Sequence, residues 1–597
     1  MEEKRGWSQL KHIKLDRKRL ARRVKKAEGA TQRHAHRFIV RRIDNIRLVT
    51  REITIWLLIV GVIIAAIGLQ LIWGRSGFMR SSPAAGGTYV EGVVGEVDTM
   101  NPLFVSTPAE ASVARLVFSS LYNYDEAGNI RQDLAQSLVS DQSGRVYTIV
   151  IRDDAKWHDG TALTAKDIVF TINLIKNPAT RSPLRINWLD VSVTATNSKT
   201  VQFTLPATYA AFPHALTFPI MPEHLLKNIA PGSLRESAFS RSPVGSGPFS
   251  FRLLQPADNV SKHKVIHLLA NSIYYGGSPK LGRFELHAYP TEDAIIRAVQ
   301  AGELSGASGI PGTSLGLINH SQYTLTPQAL YSGVYLLFNT SNPILKDAKV
   351  RKALQTGTDM ATLRKAVGGG VLPLDSPVIE GQLTGGDFPH LAAADPAKAR
   401  ELLDEAGWVM SGSARVKEGK TLEFTITTTK STEYDRSVDV ITKEWQKLGI
   451  KVNKKVVDVS GVSSTFVQDV LRARNFDMLL YELSIGADPD VYAYWHSSQV
   501  GQSGYNFSNY VSKVADASLA SARLRLEPEL RSAKYKQFVR QWQEDAPALG
   551  LYQPVLQYVA NPGVSAVRPG TILVSEADRY ANVQYWTVSD RLFYQTP

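Results

Sequence analysis

A mixed α/β fold of more than one domain, preceded by a single transmembrane helix, is what this sequence predicts. Three observations predict it: a length of 597 residues, one long uncharged apolar segment near the start, and strand-like and helix-like segments that alternate from Thr88 to the C-terminus. A single hydrophobic core seldom grows beyond about 250–300 residues, so a chain of this length folds as several domains. Alternating strands and helices are typical of α/β architectures.

The first 52 residues form a basic arm. They carry 17 Lys or Arg against six Asp or Glu, a surplus of 11 within a net charge of +13. Because the rest of the chain is nearly neutral, we expect no nucleic-acid partner, and the arm is better explained by membrane topology or contact with anionic lipid. His34 and His36 have no further ligand nearby, so we expect neither a metal nor another cofactor.

Residues 53–74, ITIWLLIVGVIIAAIGLQLIWG, contain no ionisable side chain. At about 1.5 Å per residue they are long enough to cross the hydrocarbon core of a bilayer. The Lys and Arg before them place the N-terminus in the cytoplasm. No clear cleavage site follows, so we expect an uncleaved anchor in the cell membrane, then a flexible tether at 75–87 and a periplasmic or extracellular remainder. The absence of cysteine excludes disulfides and a lipid anchor on a cysteine.

The segment RVYTIVIRDDAKWHDGTALTAKDIVFTINLI, residues 145–175, contains a cluster, Trp157–Gly160, that could pass for a catalytic or metal site. Its alternating start predicts a strand, Asp159 and Gly160 predict a turn, and Thr164 with Asp167 resembles the capping box of a helix. His158 and Asp159 are adjacent on the turn, and no third group is visible to orient them as an acid–base pair. The cluster is therefore interpreted as structural.

Nine segments, taken together and in this order, are similar to one known family. They are VDTMNPLF (97–104), YTIVIRDDAKWHDGTALTAKDIVFTIN (147–173), PVGSGPF (243–249), YYGGSPKL (274–281), YLLFNTSNPILKDAKVRKAL (335–354), ADPAKARELLDEAGW (394–408), WQKLGIKV (445–452), FDMLLYELSIGADPDVYAYWHSS (476–498) and YNFSN (505–509). The chain resembles the family 5 extracellular solute-binding proteins of ABC importers, the dipeptide- and oligopeptide-binding group.

The resemblance implies a three-domain clamshell of the periplasmic-binding-protein (Venus flytrap) type. After the basic arm (1–52), the anchor (53–74) and the tether (75–87), it implies domain I at 88–117, 243–338 and 549–597, domain II at 118–242 and domain III at 339–548. The ligand is then enclosed between domains I and III, which close about hinge strands. The cluster at Trp157–Gly160 belongs to domain II, away from that cleft.

In peptide-binding members of the family, two backbone stretches flank the ligand and pair with an extended peptide. They are matched here by the residues before the Asn101-Pro102 motif and by those before Asp488-Pro489. With nearby aromatic residues, which line side-chain pockets or fill the core, the candidate ligand-binding set is Val94, Gly95, Glu96, Glu482, Ser484, Ile485, Gly486, Ala487, Tyr492, Trp495 and Tyr505.

One position departs from the family pattern. Asp488-Pro489 matches an acidic-Pro motif of the family. Peptide-binding relatives commonly carry an aspartate three residues before the acidic residue of this motif, where the aspartate pairs with the α-ammonium of the ligand. The residue at that position here is Ile485. An unpaired buried charge is costly. Either Glu96 or Glu482 supplies the carboxylate, or the ligand lacks a free amine, and from the sequence we expect little preference for a free amine. Some relatives bind nickel complexes, haem or oligosaccharides, but His496 alone does not make a metal site.

We therefore expect a monomeric, membrane-anchored solute-binding protein that captures peptides or peptide-like solutes and delivers them to the permease subunits of an ABC transporter. The alternatives are a non-peptide ligand or a signalling or chaperone receptor on the same scaffold. An exported hydrolase is the least favoured hypothesis. The sequence shows no motif for a nucleophile–base pair or for paired carboxylates, so no catalytic residue is assigned and the protein is not expected to be an enzyme.

Overall fold

The computed structural model describes residues 50–76, 79–257, 262–310, 312–385, 388–457, 466–588 and 590–594, with short helical stretches between residues 21 and 33. His34 and His36 of the basic arm lie outside the described residues. The chain divides into two compact units, residues 1–82 with 591–597, and residues 83–590.

The first unit contains the predicted membrane anchor. Helix α1 runs over Thr50–Ser76, and its Thr50–Gln70 part is long and apolar enough to cross a membrane, with none of its apolar window buried within the protein. Strand β1 (Met79–Pro83) pairs with the last strand of the chain, Asp590–Tyr594. Part of the predicted flexible tether is therefore a strand, because a second strand satisfies its backbone hydrogen bonds.

The second unit begins with elements that serve two different sheets. In chain order they are β2 (Thr88–Val94), α2 (Pro108–Val117), β3 (Tyr122–Tyr124), β4 (Ile130–Gln132), β5 (Ala135–Ser140), β6 (Val146–Ile151), α3 (Ala165–Lys176), α4 (Arg185–Trp188), β7 (Ser192–Ala195), β8 (Thr200–Thr204), α5 (Phe212–Ala215) and α6 (Glu223–Leu226). Strands β5, β6, β8 and β7 form a four-stranded antiparallel sheet within residues 118–242. Helix α3 packs on it through Ile168 and Ile172, which are buried at helical spacing.

The next segment completes most of an eight-stranded sheet. Its elements are β9 (Phe249–Pro256), β10 (Lys264–Ala270), β11 (Arg283–Tyr289), α7 (Glu292–Gln300), β12 (Gly306–Ile310), β13 (Thr324–Leu330) and β14 (Ser332–Phe338). Two strands from the C-terminal part of the chain, β23 (Val555–Ala560) and β24 (Ile572–Leu573), also belong to it, and the order of the eight-stranded sheet is β24-β13-β23-β12-β2-β11-β10-β9. Strand β2 lies inside the sheet, parallel to β11 on one side and to β12 on the other.

The remaining elements build a six-stranded sheet, its helices and the chain end. They are α8 (Ala348–Thr356), α9 (Met360–Val367), β15 (Leu372–Pro373), α10 (Pro396–Glu405), β16 (Val409–Ser411), β17 (Ala414–Lys417), β18 (Lys420–Thr421), β19 (Glu423–Thr429), α11 (Thr432–Gln446), β20 (Lys451–Val457), a π-helix (Phe466–Arg472), β21 (Met478–Ser484), α12 (Tyr492–Trp495), α13 (Lys513–Leu524), α14 (Pro528–Asp545), β22 (Ala548–Gln553), β23 (Val555–Ala560), β24 (Ile572–Leu573), a 3₁₀ helix (Glu576–Tyr585) and β25 (Asp590–Tyr594). The six-stranded sheet has the order β15-β22-β14-β21-β19-β20.

The chain crosses between the eight-stranded and six-stranded sheets at Tyr331, between β13 and β14, and at Pro554, between β22 and β23. The amide of Tyr331 donates to the Leu573 carbonyl on one side, and its carbonyl accepts from the amides of Ile485 and Gly486 on the other. Strands Ser332–Phe338 and Ala548–Gln553 therefore belong to the six-stranded sheet. The domain boundaries expected at 338/339 and 548/549 stay predictions, and the sheet changes at Tyr331 and Pro554 because a strand belongs to the sheet that satisfies its backbone hydrogen bonds.

His158 lies on a turn beside the four-stranded sheet and forms hydrogen bonds with the PVGSGPF segment (243–249). The amide of Gly245 donates to its Nδ1 at 3.2 Å, so the other ring nitrogen carries the proton and Nε2 donates to the Gly247 carbonyl at 3.0 Å. Burial lowers the pKa of His158, which favours this neutral form. Asp159 accepts from His224 instead of orienting His158. This geometry agrees with the structural interpretation of the Trp157–Gly160 cluster.

A buried ion pair fixes the C-terminal 3₁₀ helix to strand β2. Arg579 Nε lies 2.8 Å from Glu91 Oε1, and neither side chain is exposed. Arg579 also donates to Ser112 Oγ, and Tyr580 Oη donates to the second oxygen of Glu91. The fully hydrogen-bonded arrangement is the one in which a buried ion pair is tolerated.

Candidate ligand-binding cleft

A cavity of about 380 Å³ lies between the eight-stranded and six-stranded sheets, beside the crossing at Pro554. We call it the inter-sheet cavity. The eight-stranded side contributes Gly309 and Gln557, among others, and the six-stranded side contributes Glu482 and Tyr552. Its volume is within the range of about 300–1,000 Å³ that small-ligand pockets occupy.

Two glycine-containing loops bring the walls of this cavity together. A Cβ on Gly312, after β12, would lie 2.6 Å from the Cα of Gly369, after α9. Gly368, Gly369 and Gly370 all have positive φ, a conformation that only glycine adopts at no steric cost. Gln557 Nε2 donates to the Gly369 carbonyl at 2.7 Å. The absence of a side chain at Gly312 and Gly369 therefore lets the two loops approach closely at one edge of the cavity.

Glu482, one of the candidate residues, lines the inter-sheet cavity. In the strand register Val334 of β14 lies opposite Glu482 of β21 on one side and opposite Tyr552 of β22 on the other. Directly opposed residues project from the same face of a sheet, so Glu482 and Tyr552 flank Val334 on the cavity face. Ser332 Oγ donates to Glu482 Oε1 at 2.6 Å. Residue Glu482 is exposed to solvent, but the protein atoms around its carboxylate partly desolvate it and raise its pKa.

Two further glutamates line the same cavity, and sequence reasoning missed both. Glu433 begins helix α11, where its carboxylate accepts from Ser431 Oγ. Glu576 begins the C-terminal 3₁₀ helix, and its pKa is raised by burial and by the charge of Glu482, against the opposing effect of Arg579. None of the described lining residues is Lys, Arg or His. The cavity is therefore acidic.

The first predicted backbone stretch lies at the end of strand β2. Val94 pairs with Tyr289 of β11, and the Gly95 amide donates to the Tyr289 carbonyl. Gly95 has φ of 133°. The Glu96 carboxylate accepts from Lys262 Nζ at 2.8 Å on an exposed part of the surface. Glu96 already has a cationic partner there, and it is not among the residues that line the inter-sheet cavity.

The second predicted stretch follows Glu482 around the crossing at Tyr331. The Ser484 carbonyl accepts from Tyr494 Oη at 2.7 Å, and the carbonyls of Gly486 and Ala487 accept from Gln382 Nε2. The side chain of Ile485 is 6% exposed and belongs to a hydrophobic core on one face of the six-stranded sheet. The position at which relatives carry aspartate is thus occupied here by a core residue.

The three candidate aromatic residues have different environments. Trp495 is 1% exposed and packs edge-on against Tyr335 and Trp542, so it fills the core instead of facing a cleft. Tyr492 stacks on His496, with ring centroids 4.0 Å apart. Tyr505 is 54% exposed. None of the three lines the inter-sheet cavity.

The acidic-Pro motif is an ion-pair centre. Both oxygens of Asp488 accept from Arg531, and Asp490 pairs with Arg523 at 3.0 Å. His214, of α5 in the 118–242 region, lies 3.9 Å from Asp488. The guanidinium carbon of Arg523 also lies 4.8 Å from the centre of the Tyr209 ring. The motif thus joins the 118–242 region to the helices beside the six-stranded sheet.

The three cavity glutamates come from distant parts of the sequence, so no local pattern brings them together. The run Gly368–Gly370 is a local signal that could have drawn attention to this place in the sequence. Among the described residues, no group of three or more His, Asp or Glu side chains is arranged to hold a metal ion.

Comparison with known proteins identifies the family. Residues 129–504, more than half of the chain, match the family described as bacterial extracellular solute-binding proteins, family 5, middle. The chain belongs to this family, and the resemblance seen in the sequence is confirmed.

Relatives and solved structures agree with this assignment. The oligopeptide-binding protein AppA of Bacillus subtilis is 29% identical over 486 residues, which cover 79% of this chain and 87% of AppA. The structure of B. subtilis AppA in complex with a nonapeptide matches with a TM-score of 0.69 at 26% identity, over 85% of this chain and 100% of that one. NikZ of Campylobacter jejuni, solved with Ni(L-His), matches with a TM-score of 0.70 at 27% identity, over 84% and 99%. The predicted α/β clamshell class is thereby confirmed.

Proposed function

We propose that this protein captures peptides in the cleft between the eight-stranded and six-stranded sheets and delivers them to the permease of an ABC importer. The observation that carries the proposal is the inter-sheet cavity in a member of family 5, lined from both sheets and placed beside the chain crossings. A ligand that contacts both walls favours the closed arrangement of the two sheets, because it adds contacts that the open arrangement lacks. The Val94–Glu96 and Ser484–Ala487 stretches remain the proposed backbone partners of the peptide.

The similarity to B. subtilis AppA supports a peptide as the ligand, since AppA was solved in complex with a nonapeptide. A metal complex is the second candidate, because NikZ, at similar identity, was solved with Ni(L-His). Asp488 and Asp490, at the acidic-Pro motif, form ion pairs with Arg531 and Arg523. These pairs support a structural role for the two carboxylates and not a catalytic one.

Binding by the full-length protein in detergent tests this function. We expect native mass spectrometry to show retention of members of a library of three- to nine-residue peptides, and no retention of nickel–histidine. Val371→Trp, which fills the cavity, should abolish retention, whereas Val456→Trp, at a position 44% exposed on edge strand β20, should not. Retention of nickel–histidine without any peptide would overturn the peptide assignment.

The anchor is proposed to hold the solute-binding unit outside the membrane, with the basic arm in the cytoplasm. Removal of residues 1–85 should yield a monomer that is soluble without detergent, because the remaining chain forms its own compact unit and the one described candidate span is gone. Size-exclusion chromatography with light scattering, beside the full-length chain in detergent, measures this. Recovery of the shortened chain only from detergent would contradict a single anchor.

A further inference from the structure

The hydrophobic cores of the second unit divide into two groups. One group joins the eight-stranded sheet to the 118–242 region, with Tyr89 of β2 and Trp157 in the same cluster, and includes a smaller cluster around α7. The other group consists of two clusters on the six-stranded sheet, drawn from residues 334–552. No described residue is a buried member of clusters in both groups. The unit therefore has an eight-stranded half, which includes the 118–242 region, and a six-stranded half.

The two halves meet through Arg523, in the last turn of helix α13. The guanidinium carbon of Arg523 lies 4.8 Å from the ring centre of Tyr209, in the eight-stranded half, and 4.6 Å from that of Tyr492, in its own half. Its Nε lies 3.0 Å from Asp490 Oδ2, and its carbonyl accepts from the Ala210 amide at 3.1 Å. We call these interactions the Arg523 contact. A guanidinium within about 6 Å of a ring centre is attracted to the face of the ring, so Arg523 links one half to the other.

The Arg523 contact differs from a shared hydrophobic core. The side chain of Arg523 is 37% exposed, and Tyr209 and Ala210 are only partly buried. The contact consists of a charge, two rings, a carboxylate and one backbone hydrogen bond, and interfaces between domains that move relative to each other are typically polar in this way. The contact can therefore form and break without unfolding either half.

A change in the angle between the halves acts on this contact. The chain itself holds them together at Tyr331 and Pro554, where it passes from one sheet to the other. Beside Arg523 the surfaces also meet where a Cβ on Gly144, between β5 and β6, would lie 3.0 Å from Leu526 Cδ1. Because Arg523 has Tyr209 as a partner only in the present arrangement, it stabilises this arrangement over one in which the halves lie further apart.

We propose that the Arg523 contact is a closing contact: it favours the arrangement in which the two halves enclose the inter-sheet cavity, and it does so without touching the ligand. None of Tyr209, Ala210 and Arg523 is among the described residues that line this cavity. The inference rests on the proposed function only for what the cavity binds, since the contact exists without a ligand. When a ligand binds one arrangement, its apparent dissociation constant is the intrinsic one divided by the populated fraction. Loss of the contact should therefore weaken binding although no ligand contact is lost.

Distances between two spin labels on the unliganded, full-length protein in detergent test the inference. The chain contains no cysteine, so labels attach only to introduced ones, at Lys227→Cys in the eight-stranded half and Lys443→Cys in the six-stranded half, both exposed positions. Pulsed electron double resonance measures the ratio of molecules at the distance set by this structure to molecules at other distances. Tyr209→Leu removes the ring, keeps an apolar side chain and leaves Arg523 beside Asp490. It should lower this ratio by about threefold or more, as expected for a lost cation–π contact.

Matched variants separate the contact from general effects of substitution. Tyr585→Leu, at a position 52% exposed and outside the contact, should keep the wild-type ratio. Arg523→Met, which removes the cation from the other half, should act like Tyr209→Leu, and it decides alone if Tyr209→Leu does not fold. The double variant should add little, because both substitutions remove one interaction. The proposal is overturned if the folded variants keep the wild-type ratio, or if Tyr585→Leu changes it as much.

Peptide binding provides a separate measurement. If no peptide binds, the proposed function fails, and the distance ratio still decides the present inference. If peptides bind, Tyr209→Leu should raise their dissociation constant by about the factor by which it lowers the populated fraction of the enclosing arrangement. An unchanged dissociation constant beside a changed distance ratio would contradict the role of the Arg523 contact in binding.

Discussion

Replacement of Arg579 by methionine is expected to lower the free energy of unfolding of the solute-binding unit by about 3–5 kcal/mol, the cost of leaving a buried charge unpaired. Glu91 and Arg579 are both fully buried, and the guanidinium also donates to Ser112 and to the Glu576 carbonyl. Removing the cation leaves the Glu91 carboxylate in the core with Tyr580 as its remaining described hydrogen-bond donor. Denaturant unfolding followed by circular dichroism measures the loss.

A matched surface pair provides the control for this prediction. Arg568 pairs with Glu126 at 3.3 Å, and its side chain is largely exposed. Because exposed pairs contribute about 0–1 kcal/mol, Arg568→Met should change stability little. The double variant Glu91→Met/Arg579→Met should regain part of the loss, since no charge is then left unpaired. A loss for Arg579→Met no larger than that for Arg568→Met would contradict the proposed role of the buried pair.

Replacement of Gly245 by alanine is expected to destabilise the same unit by at least about 2 kcal/mol, as overpacking of a tight contact does. The added Cβ would lie 1.9 Å from the carbonyl oxygen of Val117 and 2.7 Å from its carbonyl carbon, so backbone must move. That movement would also disturb both hydrogen bonds between Gly245 and His158. The melting temperature should fall by several degrees.

Gly232→Ala is the matched control for Gly245→Ala. The nearest atom to its added Cβ is 3.7 Å away, an ordinary contact, and its φ is not positive. Its effect should stay within about 0.5 kcal/mol, as for most surface substitutions. Equal melting temperatures for the two alanine variants would mean that the PVGSGPF segment does not need its glycine at this position.

The structure gives the candidate residues Glu482 and Ile485 different environments. In the sequence, Ile485 stands where relatives commonly carry an aspartate, so either Glu96 or Glu482 supplies the carboxylate or the ligand lacks a free amine. In the structure, Glu482 lies on the cavity face of strand β21. Ile485 follows the end of that strand, and its side chain lies in the core.

Features decided by local patterns could be predicted from the sequence. The apolar run at 53–74 lies within helix α1 (Thr50–Ser76) because a long uncharged apolar run favours a helix. Asp395 caps helix α10 with Pro396 in its first turn, and Thr164 and Asp167 form the capping box of α3. These signals depend on neighbours a few residues apart. The order of nine family segments likewise predicted the clamshell class.

What only the tertiary structure decided depends on residues that are far apart in the chain. Glu433, Glu482 and Glu576 approach one cavity because the chain crosses between two sheets at Tyr331 and Pro554. Ser332–Phe338 joins the six-stranded sheet because its hydrogen-bonding partners are there. Trp495 is a core residue because Tyr335 and Trp542 surround it. A residue type and its spacing fix a local conformation, whereas charge, burial and access arise from groups that only the complete topology brings together.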